Sequence, residues 1–277
     1  MKIIVCILII SVCWSCKNNT DTEKYQSKRD RILMVKEKIK EINFDAVFIG
    51  QFSRLYTLNE YLLIPDTRSP DKLIHVFNKN DYKHITSIID QGQGPNEIAN
   101  LGFIGTDETR RTFSATDHGK QEIFSYNMDS ILANPLYAPE IKMSMKMKQF
   151  PDKYHYLNDT LLIGVIIEPN ANSGYNHLIA KINTNTGEIS PMQKYTHPKI
   201  ERKRICFAAS VEYGLYVECY NYHDLITVSD LDGNFQYNVY GSGWNDKTTN
   251  KFGYYENVVF CKDKIIASYG KGKDRYS

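Results

Sequence analysis

The chain of 277 residues carries 34 lysines and arginines against 32 aspartates and glutamates, a formal net charge of +2. This balance excludes a general electrostatic attraction to nucleic acid, because such binding depends on neutralising phosphates with basic side chains. The length is enough for one large domain or two small ones. The 20 tyrosines and 12 phenylalanines favour strands, because aromatic side chains suit half-buried pleated surfaces.

Residues 1–16 have the layout of a secretory signal peptide. A lysine at position 2 is followed by an apolar run from Ile3 to Val12, and the small Ser15 stands directly before Cys16. The run is shorter than the ~20 residues that a membrane-spanning helix needs, so we expect it to be removed. We predict a lipoprotein signal in which Cys16 is lipidated and becomes the new N-terminus. The mature chain would then be attached to a membrane of the bacterial cell envelope, on its periplasmic or outer-membrane side.

Two alternatives stay open for this N-terminal segment. Cys13 stands three residues before Cys16, where an aliphatic residue is usual, so one alternative is an ordinary signal peptide cut nearby. The other is an N-terminal anchor that is not cleaved. No later segment is long and apolar enough to span a bilayer.

Residues 17–43 are predicted to be a tether and a lead-in segment. Residues 17–30 are polar and have no apolar pattern, which is typical of a flexible linker. In residues 31–43 the apolar side chains have helical spacing, but the same stretch could instead enter a first strand at Ile39.

From Phe44 onward, short apolar, β-branched or aromatic runs alternate with turn signals. Leu73–Phe77 and Leu225–Ser229 are examples of the runs, and Asn183–Gly187 is an example of a polar turn. Many short strands, with no long helical pattern between them, predict an antiparallel all-β fold.

The runs recur as a unit of four strands with a polar turn after the third. The unit can be traced through residues 54–90, 103–132, 153–195, 204–241 and, in part, 255–277. A spacing of ~30–45 residues favours one four-stranded blade per unit, so residues 44–277 are predicted to be a β-propeller. A β-sandwich is the alternative architecture. Because only about four and a half units are found, we expect the last blade or blades to be truncated.

The segment from Ile89 to Ile98 reads IDQGQGPNEI and resembles the G-x-G-P-x-E segment of the TolB-like six-bladed β-propeller lipoproteins of Bacteroidetes. The turn at Ser229–Asn234 and the stretch from Tyr254 to Gly272 are also similar to that family. The resemblance covers residues 45–277 and implies a propeller fold and a lipid-anchored location. Members of the family usually continue for another blade or more, which leaves closure of the ring open here. The family has no established common ligand or reaction, so the resemblance implies no activity.

The glycine-rich segment Gly92–Glu97 is predicted to connect two blades. It lacks the Gly-Lys-Ser/Thr ending of a P-loop and the third glycine of a dinucleotide-binding fingerprint. Its glycines permit tight turns, and Glu97 is expected to cap backbone amides. If this loop lies at the mouth of the ring, its polar side chains are candidate ligand contacts, namely Gln91, Gln93, Asn96 and Glu97.

A second group of candidate contacts is aromatic. Tyr222, Trp244 and Tyr254 fall in or near connections, where propellers often bind ligands. An aromatic rim rich in asparagine suits sugars or peptides. Tyr220 and Tyr255 also fall in or near these connections. The alternative for all of these aromatic rings is that they wedge between blades.

The sequence predicts no catalytic, metal or cofactor site. The seven histidines are scattered and form no H-E-x-x-H pattern. Asp230–Asn234 has its glycine at the wrong position for an EF-hand loop, so a hairpin turn is expected there. Ser242 lies between two glycines but does not open a helix, as a nucleophile elbow would.

The cysteines downstream of the signal, Cys206, Cys219 and Cys261, have no zinc-binding spacing. We expect them to be buried free thiols that act as small apolar side chains. A Cys206–Cys219 disulfide in an oxidising compartment is the alternative.

These features favour a cell-envelope lipoprotein whose propeller is a binding or scaffold module for a protein, a peptide or a glycan, and not for nucleic acid. One alternative is an enzyme, such as a hydrolase or lyase, with Asp, Glu or His side chains converging in the central channel. The other is a truncated remnant without function.

Overall fold

The structure is a computed structural model that describes residues 19–26, 38–43, 47–51, 53–69, 71–134, 136–145, 149–169, 174–192, 194–201, 203–244 and 252–274. Cys16 and the rest of the predicted signal lie outside these residues. The regular elements in the described part are 19 strands and one helix of six residues. None of its helices has the length and apolar character needed to cross a bilayer.

The strands follow the chain in groups of four. A short strand β1 (Glu23–Tyr25) comes first. Blade 1 contains β2 (Tyr56–Leu58), β3 (Tyr61–Pro65), β4 (Lys72–Asn78) and β5 (His84–Asp90). Blade 2 contains β6 (Leu101–Asp107), β7 (Thr112–Asp117), β8 (Glu122–Asn127), helix α1 (Met128–Ala133) and β9 (Glu140–Ser144).

Two more blades and a hairpin complete the described chain. Blade 3 contains β10 (Phe150–Tyr156), β11 (Leu161–Pro169), β12 (Tyr175–Asn183) and β13 (Glu188–Pro191). Blade 4 contains β14 (Ile205–Ser210), β15 (Leu215–Tyr220), β16 (Leu225–Asp230) and β17 (Phe235–Tyr240). The C-terminal hairpin contains β18 (Phe252–Cys261) and β19 (Lys264–Asp274). Within every blade the strands pair antiparallel in chain order.

The first strands of successive units lie next to one another around a common axis. β2 contacts β6, β6 contacts β10, β10 contacts β14, and β14 contacts β18. Each blade therefore turns its first strand toward the axis and its fourth strand toward the periphery, as in a propeller. The predicted all-β propeller is confirmed, and its units begin within a few residues of the predicted positions.

One apolar cluster fills each interface between neighbouring units. Successive side chains of a strand point to opposite faces, so one strand serves two clusters. On β14, Phe207 packs toward blade 3, whereas Cys206 and Ala208 pack toward the hairpin. Every residue of β7 after Thr112 is buried, because neighbours cover both faces of the blade.

Buried aspartates fix the start of blades 1 and 2. Asp66 follows β3, and its carboxylate accepts a hydrogen bond of 2.7 Å from the backbone N–H of Gly50, ahead of β2. Asp117 ends β7 and accepts bonds from the N–H groups of Ala99 (2.8 Å) and Asn100 (3.0 Å), ahead of β6. In both blades the end of the second strand therefore holds the segment that enters the first strand.

A third buried aspartate joins blade 4 to the C-terminal hairpin. Asp224, directly before β16, is 0% exposed. Its carboxylate accepts hydrogen bonds from the hydroxyls of Tyr255 (3.0 Å) and Tyr269 (2.7 Å) and from the N–H of Gly243 (2.9 Å). Position 241 must be glycine here, because a Cβ atom on Gly241 would lie 2.1 Å from that carboxylate.

Blade 2 extends beyond the unit traced in the sequence, which stops at residue 132. Helix α1 occupies the end of that unit, and β9 follows it. The helix begins where the side chain of Asn127 accepts a hydrogen bond of 2.9 Å from the N–H of Ser130, and Asp129 lies in its first turn. The insertion of α1 between β8 and β9 explains why the sequence repeat missed the fourth strand.

The segment predicted as a tether contributes a strand to blade 4. β1 pairs in parallel with β17, in the register Glu23 to Asn238. The ring of Tyr25 stacks on that of Tyr240 with a centroid distance of 4.8 Å. The prediction of a tether over residues 17–43 is therefore wrong for β1. Residues 39–43 form neither helix nor strand, and Ile39 is 72% exposed, so no first strand begins there.

Cys206 and Cys219 lie opposite each other on β14 and β15, and both are buried free thiols, as expected. The N–H of Asn221 donates to the carbonyl of Arg204, so Arg204 and Asn221 face each other as a hydrogen-bonded pair. Hydrogen-bonded and non-hydrogen-bonded pairs alternate along antiparallel strands, so Cys206 and Cys219, two residues along, are a hydrogen-bonded pair as well. The Cβ atoms of such a pair are about 5.5 Å apart, against about 3.8 Å in a disulfide. The third cysteine, Cys261, is exposed, contrary to the expectation of burial.

We expect Asp224→Ala to lower the free energy of unfolding by about 3 kcal/mol or more, because three donors lose their buried acceptor. Urea unfolding followed by circular dichroism measures the change. Asp263→Ala is the matched control, since the carboxylate of Asp263 is exposed and bonds only to Lys264. An equal effect of the two substitutions would contradict a special role for Asp224.

Candidate functional site

A cavity of about 610 Å³ lies on the axis, between the first strands of all five units. Its walls come from the lead-in to β2, from the middle of β6, β10 and β18, and from single residues of β14 and β19. The lining residues used below are Ser53, Arg54, Tyr56, Phe103, Lys153, Tyr154, His155, Phe207, Glu256, Asn257 and Ser268. No single blade forms this site, because each unit supplies only a few of its residues.

Part of the cavity wall is a row of aromatic rings in edge-to-face contact. The ring of Phe103 lies 5.7 Å from that of Tyr56 and 5.1 Å from that of Tyr154, centroid to centroid. The hydroxyl of Tyr154 is 2.9 Å from Oγ of Ser114, a hydrogen bond that anchors the ring in blade 2. Position 105 must be glycine, because a Cβ atom on Gly105 would lie 2.6 Å from the Tyr154 ring. This side of the cavity is therefore held in place before any ligand binds.

Other residues of the lining are polar. Arg54 and Glu256 are exposed, and Lys153 is half-buried. The hydroxyl oxygen of Ser268 accepts a hydrogen bond of 2.9 Å from the N–H of Asn257. Arg54 and Lys153 bring two cations to the lining and Glu256 brings a carboxylate, while the carboxylate of Asp152 lies close enough to act on Tyr56. Burial raises the pKa of Tyr56, although its hydrogen bonds with Arg54 and with the backbone of Ile104 act in the opposite direction, so its hydroxyl stays protonated.

His155 also lines the cavity, as a neutral side chain. Burial lowers the pKa of His155 to about 4, and its ring contacts that of Phe207 at 5.9 Å. The pKa of His177 on β12 is also lowered to about 4, by burial first and then by the charges of Arg204, Lys153 and Lys203. At neutral pH both imidazoles are therefore uncharged.

This arrangement is suited to binding a polar molecule. It offers aromatic faces, hydroxyl and amide groups, and two cations, which together match hydroxyl-rich or acidic ligands. Within the described ranges, no group of three or more His, Cys, Asp or Glu side chains is placed to hold a metal ion.

The glycine-rich loop has the structural role that was predicted for it. The carboxylate of Glu97 accepts a hydrogen bond of 2.7 Å from the N–H of Gly94, and Lys120 donates to the carbonyls of both residues. Gln93 and Asn96 remain exposed on the loop. The side chain of Glu97 is thus engaged within its own loop.

The predicted aromatic contacts lie on blade 4 and the hairpin. The ring of Trp244 packs against those of His197 and Tyr240, each with a centroid distance of 4.9 Å. Tyr254 is buried, and its hydroxyl donates to the carbonyl of Gly243 at 3.3 Å. Tyr222 is half-buried in the turn between β15 and β16. Trp244 and Tyr254 therefore pack against neighbouring groups, as expected from the alternative in which aromatic rings wedge between blades.

The candidate contacts of the glycine-rich loop and of the aromatic group share one end of the propeller but do not form one site. Strands alternate in direction, so the exit of each fourth strand and the turn after each second strand lie at the same end. The loop residues lie between blades 1 and 2, and the aromatic residues lie at blade 4 and the hairpin. None of these candidate contacts lines the central cavity.

The sequence did not single out the residues of the cavity. Arg54, Lys153 and Glu256 look like ordinary surface charges when each is considered alone. The sequence did contain one signal, namely the position of each residue within its repeat unit. Arg54 and Lys153 each stand at the start of a predicted unit. Such positions belong to first strands, and first strands meet at the axis.

Comparison with protein families gives a match to a family described as 6-bladed beta-propeller, DUF5128, over residues 27–224. This match agrees with the predicted propeller fold and shows a propeller family. No curated protein is similar enough in sequence to count as a relative.

Several solved structures have similar folds. A Bacteroides fragilis protein thought to be exported is 14% identical with a TM-score of 0.49, over 81% of this chain and 61% of that one. A member of the DUF4221 family from Bacteroides vulgatus is 13% identical with a TM-score of 0.45, over 66% and 56%. A chain of a nidogen–laminin complex is 12% identical with a TM-score of 0.48, over 76% and 68%. The chain thus spans less than two thirds of both Bacteroides proteins.

The two neutral histidines predict how stability depends on pH. Their pKa of about 4 in the folded chain lies below the value of about 6.5 in an unfolded one, so the unfolded state binds more protons between these values. The free energy of unfolding should therefore fall as the pH is lowered through this window, by roughly 1–3 kcal/mol per histidine. Urea unfolding between pH 7 and pH 4 should give a shallower pH dependence for His155→Gln than for the wild type. Identical pH dependence would show that His155 is not buried in its neutral form.

Proposed function

Because the chain belongs to the DUF5128 family of 6-bladed β-propellers, we propose that it is a binding module of the cell envelope whose central cavity holds a segment of a glycan or peptide. The observation that carries this proposal is the cavity itself, which combines fixed aromatic rings with polar and charged side chains. Its volume of about 610 Å³ lies in the range of small-molecule sites, which run from about 300 to 1,000 Å³.

The chemistry of the lining favours a ligand with both hydroxyl and acidic groups. Tyr56 and Phe103 offer ring surfaces to the apolar faces of a sugar or to a side chain. Arg54 presents a planar set of donors that suits a carboxylate, and Lys153 adds a second positive charge to the lining. A segment of an acidic polysaccharide meets all of these requirements, and a peptide with an acidic residue meets most of them.

The proposed location rests on the sequence of residues 1–16. The apolar run, the small Ser15 and the position of Cys16 support export and lipid attachment. The resemblance of IDQGQGPNEI to the TolB-like lipoproteins supports the same location. A lipid on Cys16 would hold the cavity at a membrane surface, where envelope glycans and proteins are the available ligands.

The cavity can be tested with uronic-acid oligosaccharides, neutral oligosaccharides of equal length and acidic peptides, by isothermal titration calorimetry. We expect an acidic ligand to bind, and Arg54→Ala or Lys153→Ala to weaken its binding by about tenfold or more, since each removes a charged contact. Lys264→Ala is the matched control, because Lys264 is exposed at the far turn of the hairpin. Binding that all three variants retain equally would place the ligand outside the cavity.

The anchor can be tested in cells by fractionation. We expect the wild type in the membrane fraction and Cys16→Ser in the soluble fraction, because the substitution removes the thiol that would carry the lipid. Cys261→Ser is the control, since Cys261 is an exposed thiol that should leave the distribution unchanged. A Cys16→Ser protein that stays wholly in the membrane fraction would disprove lipid anchoring at this residue.

A further inference from the structure

A second cavity, of about 240 Å³, lies between blades 3 and 4, at the end of the propeller where the fourth strands exit. Its walls come from the start of β12, from the connection between β13 and β14, and from the last residue of β15. It shares no lining residue with the central cavity. We call it the interblade cavity, and the lining residues used below are His177, Leu178, Ile200, Glu201, Lys203 and Tyr220.

A buried ion pair forms part of this lining. Nζ of Lys203 pairs with Oε1 of Glu218, and the two side chains are 13% and 4% exposed. A buried pair adds little stability, because taking two charges out of water can cost as much as their attraction returns. The pair does hold the ammonium group of Lys203 in one place at the cavity. An ammonium group has three N–H donors, so Lys203 can donate to a ligand while it stays bound to Glu218.

His177 brings a second donor to the cavity. It is 7% exposed, and its Nδ1 accepts a hydrogen bond of 3.4 Å from the N–H of Ile205, so the neutral imidazole carries its proton on Nε2. No described residue accepts that proton, and Nε2 is not fully enclosed, unlike the unpartnered Nε2 of His75. A buried side chain with an unused donor is rare, and an acceptor in the cavity would satisfy it.

The surroundings of His177 are positively charged. Burial lowers the pKa of His177 first, and the charges of Arg204, Lys153 and Lys203 then lower it further. Arg204 is fixed in position, because its guanidinium lies 3.5 Å above the ring of Tyr175, and that ring stacks on the imidazole of His177 at 5.4 Å. A negative charge on a ligand would therefore be attracted to this cavity.

The rest of the lining limits the size and the charge of a ligand. Leu178, Ile200 and Tyr220 add apolar surface. The volume of about 240 Å³ lies below the range of about 300–1,000 Å³ that is usual for larger ligands. The carboxylate of Glu201 is exposed and belongs to the same lining, so it opposes a second negative charge.

The geometry points to a small organic acid with a single carboxylate as the ligand of the interblade cavity. Its carboxylate accepts hydrogen bonds from Lys203 and from Nε2 of His177, and its short carbon chain packs against Leu178 and Ile200. This inference does not depend on the proposed function, because the two cavities have different lining residues.

Butyrate and butyramide are matched probes, since they have the same size and differ in charge. NMR titration of the full mature chain with isotope-labelled histidines, at pH 7, follows His177 directly, and its signals are those that His177→Gln lacks. We expect butyrate to shift these signals and to saturate in the millimolar range, and butyramide to bind about tenfold more weakly or less. Succinate should also bind more weakly than butyrate, because Glu201 repels its second carboxylate.

Lys203→Met combined with Glu218→Leu removes both charges of the pair, so no buried charge is left unpaired and the fold should be kept. We expect this double variant to weaken butyrate binding by about tenfold or more. Glu201→Gln should strengthen it about two- to fivefold, since it removes an exposed like charge. Lys83→Ala is the matched control, because Lys83 is 82% exposed on blade 1.

Equal binding of butyrate and butyramide would overturn the inference, and so would butyrate binding that the double variant retains. If the double variant did not fold, a Glu201→Gln protein that binds butyrate no more tightly than the wild type would decide against it. Butyrate binding that is lost in Arg54→Ala and leaves the His177 signals unchanged would overturn it too, and would place the acid in the central cavity. Failure of the acidic oligosaccharides to bind would count against the proposed function and leave this inference intact.

Discussion

Every blade of this protein is apolar on both faces, and the rest of the structure depends on this constraint. Adjacent residues of one strand belong to different clusters, as Phe207 and Ala208 do on β14. A sheet of this kind cannot be stable alone, because one of its faces would always be exposed to water. Each blade therefore needs a neighbour on each side, and the twist of the sheets turns a row of such blades around an axis. The buried aspartates add directed hydrogen bonds to this packing, and Asp224 does so between blade 4 and the hairpin.

The central cavity is a result of the same arrangement. First strands converge on the axis but do not pair with one another, so space remains between them. Arg54, Lys153 and Glu256 reach that space from three units that are far apart in the sequence. The walls can differ because each unit contributes its own side chains to a common volume.

The repeat in the sequence was sufficient to predict the propeller and the first residue of each unit to within a few positions. It was not sufficient for β1, whose three polar residues have no pattern and become a strand only through pairing with β17. It also missed β9, because α1 interrupts the unit. The site was harder to predict than the fold, since a charge such as Lys153 acquires meaning only from its neighbours across the axis. Trp244 and Tyr254 were chosen for their residue type, and the structure uses both in packing.

The pairing of β1 with β17 has a mechanical consequence. β1 lies parallel to β17, and its three residue pairs are in register. A pull directed along β1 toward its N-terminal end loads the hydrogen bonds between β1 and β17 in shear. Because the hydrogen bonds of a parallel pair are evenly spaced, they share this load, whereas a peeling force would break them one after another. The stacked rings of Tyr25 and Tyr240 resist the same displacement. Force that reaches the domain through β1 therefore enters at blade 4, and blade 4 is the unit that bears it.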